Sequence, residues 1–80
     1  MNWKQHIESN PDNMVGKPVI RGTRLTVEFI VGRLADGWSQ ADLLENYPAL
    51  SEERILAVYA YLHAMLRDSM VFDLGQKSAA

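Results

Sequence analysis

Apolar positions recur with helical spacing through most of this chain. Val27, Ile30, Val31 and Leu34 fall at i, i+3, i+4 and i+7, which predicts a helix over 27–36. Thr26 is placed to cap it, and Glu28 in the first turn suits the positive end of the helix dipole. Gly37 is the expected C′ residue. Gly32 inside the helix costs about 1 kcal/mol against alanine, which predicts close packing at that point. A second, short helix follows. Ser39 caps it, Asp42 three residues on resembles a capping box, and Leu43, Leu44 and Tyr47 supply its buried side. Pro48 stops it by pushing the residue before it out of the α region.

A third helix begins after Ser51 and is expected to reach about Asp68. Its apolar stripe is Ile55, Val58, Tyr59, Leu62, Met65 and Leu66. Opposite that stripe lie Leu56, Ala57, Ala60, Tyr61 and Ala64, a face expected to be open to solvent in a monomer. Alanine alone is explained by helix propensity, but Leu56 and Tyr61 are not, so these five residues are read as a dimer or partner interface.

Before residue 27 the pattern changes. An apolar signal around Ile7, within Trp3 to Ser9, precedes the turn cluster Asn10-Pro11-Asp12-Asn13. Met14-Val15-Gly16 then leads to Pro18-Val19-Ile20. Two short strands, paired antiparallel, are the reading. Pro18 belongs at a strand start or edge, because it has no N–H to donate, and Gly22 is the candidate for a positive-φ turn. The fold class is therefore mainly α, a small α+β domain with an N-terminal β-hairpin followed by three helices. It is one domain over 1–74, with a disordered tail expected over 75–80.

Eighty residues bury too little surface to be stable by a wide margin, so a partner subunit is the expected source of extra stability, and a homodimer is predicted. There is no cysteine, which removes disulfides and thiolate metal sites and suits a cytoplasmic location. The N-terminus has no apolar core of a secretory signal, and no run approaches the ~20 residues of a membrane span. Net charge is −2, so nucleic acid would have to be met by a local basic patch.

One such patch exists at the joint between hairpin and helices, where Lys17, Arg21 and Arg24 cluster. Arginine pairs bidentately with phosphate or carboxylate. On the turn itself, Arg21 is read as functional. Arg24 can equally fold inward onto Glu28 or Asp42, and Lys17 is read first as a strand-edge charge. These three are the candidate nucleic-acid contacts.

Two helices joined by a short turn have the outline of a helix-turn-helix, whose second helix would enter the major groove. Here that helix opens on Glu52 and Glu53, which would repel phosphates and which a helix N-terminus stabilises in any case. His6 and His63 have no metal-ligand spacing, Ser39 and Ser51 read as caps, and Trp38 and Tyr47 as core residues. With no Gly-rich phosphate loop either, no catalytic residue, cofactor or metal is expected.

Taken in order, Gly16-Lys17-Pro18, Ile20, Gly22-Thr23-Arg24, Val27, Gly37-Trp38-Ser39, Tyr47-Pro48, Leu50 and Glu52-Glu53 resemble the domain-of-unknown-function 433 family over about residues 5–62. The resemblance implies a helix-turn-helix-like, winged-helix-related fold. It also implies that some relatives act as antitoxins of the VapB type, which neutralise a PIN-like ribonuclease toxin and can repress their own operon. A long toxin-wrapping arm, common in other antitoxins, is expected to be absent or reduced to Ser69–Ala80. The expectation is an antitoxin-like regulator that binds a PIN-like toxin and its own operator DNA. The alternative is a protein-interaction module with no nucleic-acid role.

Overall fold

Each short element at the start of the chain is fixed by a local bond. The computed structural model describes the backbone of residues 1–77 and the side chains of residues 1–69. Trp3–Gln5 form a single 3-10 turn, opened by Asn2, whose side chain accepts from the Lys4 N–H. Strand β1, Ile7–Glu8, pairs antiparallel with β2, Val19–Ile20, in the register Ile7 with Ile20 and Glu8 with Val19. The strand signal expected over Trp3 to Ser9 thus narrows to two residues, because Trp3 is drawn into the turn.

After β2 the chain doubles back on itself. Gly22 takes φ +79, and the Thr23 hydroxyl both donates to the Ile20 carbonyl and accepts from the Leu25 N–H. The Ile20 N–H then bonds the Leu25 carbonyl, and the Val27 N–H bonds the Pro18 carbonyl, each at 2.9 Å. Residues 25–27 therefore run beside β2 and deliver the chain directly into a helix.

That helix, α1, spans Val27–Ala35, with the Thr26 hydroxyl accepting from the Phe29 N–H. Helix α2, Gln40–Asn46, starts with a complete capping box: Asp42 N–H to Ser39 Oγ at 3.0 Å, and Ser39 N–H to Asp42 Oδ2 at 2.8 Å. The connector 47–51 contains Pro48, and Ser51 caps α3, Glu52–Lys77, by accepting from the Arg54 N–H. Helix α3 runs beyond the end expected near Asp68. The tail expected from Gly75 overlaps its last turn, and residues 78–80 lie outside the described residues.

The core is Ile7, Ile20, Val27, Ile30, Leu43, Leu50, Ile55, Ala57 and Val58, so both strands and all three helices contribute. Full burial of a branched aliphatic side chain contributes about 1.5–3 kcal/mol, and five such side chains of this core, Ile20, Ile30, Leu43, Ile55 and Val58, are fully enclosed.

One expectation about α3 is corrected. Ala57 is 0% exposed, and Tyr61 packs edge-to-face on Trp3 with ring centroids 4.9 Å apart. The N-terminal 3-10 turn lies against α3 and occupies the side that helical spacing alone left open. Ala60 and Ala64 are half-buried, and of the five only Leu56 is exposed. Conversely Tyr59, Met65 and Leu66, placed by spacing on the buried stripe, are exposed. Among the described residues the exposed large apolar side chains of α3 are thus Leu56, Tyr59, Met65 and Leu66, of which Leu56, Tyr59 and Leu66 share one face at helical spacing and Met65 lies off it.

Gly32 is a second correction. A Cβ there would meet nothing within 4 Å, so no close packing inside the chain requires glycine.

Candidate binding surfaces

The basic joint is built by the turn between β2 and α1, but its three cations have different fates. Arg21 is bonded within the chain through all three of its nitrogens. Its Nη1 donates to Glu8 at 3.0 Å, its Nε to the Gln5 carbonyl at 3.1 Å, and its Nη2 to the Lys4 carbonyl at 2.9 Å. The other Glu8 oxygen accepts from the Gly22 N–H. The side chain therefore stitches the turn to the N-terminal 3-10 segment, which in turn holds Trp3 against α3. Each nitrogen of the fork donates one bond inside the chain, which gives Arg21 a structural role that its place on the turn did not suggest.

Lys17 pairs with Glu28 at 3.1 Å, both side chains well exposed. Such a pair contributes little to stability, since solvent screens it. Arg24 takes neither of the partners foreseen for it. Glu28 goes to Lys17, and Asp42 is held in the capping box. Among the described residues Arg24 forms no ion pair, and its guanidinium rests 3.8 Å from the Met14 Sδ.

Beside Arg24 the backbone is unusual. Met14, Val15 and Gly16 have φ of +51, +57 and +79, three consecutive residues in the left-handed region. For a β-branched residue this is a steric outlier. Asn13 holds the segment in place, donating from its side chain to the Thr23 carbonyl at 2.9 Å. Val15 is nonetheless 93% exposed, so no burial of its side chain offsets the strain. With Pro11, Asp12, Met14, Lys17 and Arg24 it lines an open concavity of about 530 Å³.

Arg33 lies between the rings of Phe29 and Trp38, 5.3 and 5.4 Å from their centroids, and pairs with Asp36 at 3.4 Å. Tyr47 stacks on Trp38 and meets Phe29 edge-on, so Trp38 and Tyr47 are packing residues, as read. At the start of α3, Glu53 bonds His6 at 2.9 Å, while Glu52 is exposed. Asp42 has its carboxyl held below the ordinary range by the two hydrogen bonds of the capping box, backbone first. Among the described residues no group of three His, Asp or Glu side chains could hold a metal ion, and no helix is long and apolar enough to cross a membrane.

A two-stranded antiparallel hairpin feeding three helices, with the Gly16-to-Val27 joint between them, defines a small α+β class. Residues 7–62 match the family described as "Protein of unknown function (DUF433)", and the chain belongs to that family. It is similar to the uncharacterized protein y4eO of Sinorhizobium fredii (strain NBRC 101917 / NGR234), 36% identical over 78 residues. The match takes in 94% of this chain but only 35% of that relative's length. It is also similar to the crystal structure of a DUF433 member protein from Anabaena variabilis ATCC 29413. There the TM-score is 0.71 at 31% identity, over 79% of this chain and 66% of the other.

Proposed function

We propose that the protein is an antitoxin-like small regulator that works by binding other proteins: a second copy of itself and a PIN-like ribonuclease toxin. The observation that carries this is the exposed apolar surface of α3. Leu56 and Leu66 are more than half exposed, Tyr59 and Met65 about 40%, and all four lie on a helix of 26 residues. Exposed apolar surface of this kind marks an interface. In this reading α2, the connector 47–51 and α3 form a helix-turn-helix-like unit, and operator DNA is a further ligand met through Arg24 and Lys17.

A module that binds proteins and no nucleic acid is the second reading. Two observations favour it. The fork of Arg21 is used inside the chain, and Glu52 stands exposed where a recognition helix would approach phosphates.

Light scattering at tens of micromolar tests self-association, and a purely monomeric chain rejects the dimer. Co-expression with a PIN-like nuclease from a neighbouring gene tests the toxin, and the complex should elute as one species. Anisotropy of an upstream DNA fragment beside a scrambled one, at two salt concentrations, separates the two readings. Salt-sensitive binding to the native fragment alone establishes a DNA-binding regulator. Binding to neither leaves the protein-only module.

A further inference from the structure

The concavity beside Arg24 joins three features that nothing inside the chain explains together. Arg24 is a guanidinium with no acid partner among the described residues, held over the Met14 thioether. Val15 is an apolar, β-branched residue kept in a left-handed conformation while 93% exposed. Pro11 and Met14 complete an apolar wall around the cation. A left-handed β-branched residue is strained and persists only where its surroundings over-determine it. Here the surroundings spend that strain on presenting a valine to solvent, next to an unpaired charge.

We infer that this concavity docks an acidic-apolar segment of a partner protein, one carboxylate on Arg24 and a flanking aliphatic side chain against Val15, Met14 and Pro11. Arginine's fork is matched to a carboxylate, and the pair is strongest where apolar walls thin out the water. A nucleic-acid backbone fits less well. Lys17 is already paired with Glu28 and Asp12 lines the same concavity, so among the described residues Arg24 is the cation left for one carboxylate rather than part of a basic track. Duplex DNA presents a phosphate about every 1.7 Å along its axis, and a single free cation meets only one of them, beside an acid that repels the next. The inference rests on the reading of the chain as a protein binder, but on a surface separate from the exposed apolar surface of α3.

The test is a titration of the full ¹⁵N-labelled chain followed by amide shifts. The probes are a capped Ala-Leu-Glu-Leu-Ala peptide, its Gln counterpart, inorganic phosphate and a short duplex. The Glu peptide is expected to move the amides of Met14, Val15, Gly16, Lys17 and Arg24 and to leave Leu56, Tyr59 and Leu66 unmoved. Losing the carboxylate, or Arg24→Gln, should weaken binding about tenfold, the factor that one charge-assisted hydrogen bond represents. Val15→Asn keeps the left-handed backbone without the aliphatic contact, and should also weaken binding while the chain stays folded by circular dichroism. Three results overturn the inference: equal binding of Glu and Gln peptides, an unchanged titration in Arg24→Gln, or no shifts with either peptide. Equal or tighter binding of phosphate or the duplex at these same amides overturns it in favour of an anion or nucleic-acid site. A peptide that moves only α3 amides removes the Arg24 site and leaves the protein-binding reading standing.

Discussion

Ala57 separates two accounts of α3 that differ only in which way the helix is turned. If it faces solvent, Ala57→Leu adds an apolar side chain to an exposed helix and changes stability by less than about 0.5 kcal/mol. The structure instead encloses it completely, in the cluster with Ile7, Ile20, Ile30, Leu43 and Val58. Three extra carbons have no room there. Overpacking of this kind costs about 1–3 kcal/mol, taken here as about 2. A chain of 80 residues loses about 0.17 kcal/mol/K at its midpoint, so the expected fall in Tm is roughly 12 °C. Leu56→Ala, at a side chain 55% exposed, is the control, with an expected shift of about 3 °C or less. Thermal unfolding by circular dichroism at low micromolar concentration reads both. If Ala57→Leu is as stable as the parent, or Leu56→Ala is the more damaging of the two, the orientation of α3 is wrong. A Leu56→Ala loss that grows with protein concentration would instead locate Leu56 in a self-contact.

Three further outcomes are expected. Arg21→Ala should cost about 1 kcal/mol, a modest figure because the side chain is half exposed, and should loosen the Trp3 turn, read as a change in tryptophan emission. It should leave any salt dependence of DNA binding unchanged, whereas Arg24→Gln should reduce that slope by about one if a phosphate contact is made. Val15→Gly should not destabilise and should raise Tm by up to a few degrees. Relief of about 1 kcal/mol of left-handed strain outweighs the extra freedom of glycine in the unfolded chain. Asp42 has a folded pKa lowered from 3.8, so its contribution is complete above that value. It is lost as pH falls below 3.8 and through the folded value. Acid titration of Asp42→Asn should show that segment of the unfolding curve flattened, and an unchanged curve would remove the capping box from the account.

Local chemistry was legible without coordinates. Thr26, Ser39 with Asp42, Ser51, Gly22 and Pro48 each act on groups within a few residues, so the starts of the helices, the turn and the stop after α2 follow from spacing alone. The order of elements and the motifs that place the chain in its family are likewise linear properties. Ile55 and Val58 turn inward as their spacing predicts, but spacing could not decide how far the buried face of α3 extends, because Trp3 packs on Tyr61 from 58 positions away and Ala57 is enclosed as well. Nor could it assign the three cations of the joint. Arg21 was drawn to the Lys4 and Gln5 carbonyls, and Glu28 to Lys17, by approaches that exist only once β1 pairs with β2 and α1 folds beside them. Arg24 was left facing outward as a consequence. Side-chain propensity also argued against the left-handed run at Met14 and Val15, and the closed geometry of the hairpin loop, tied by Asn13 to Thr23, overrode it. Caps and turns are short-range and are written in neighbouring residues, whereas the facing of a helix and the pairing of a charge belong to contacts that close only in three dimensions.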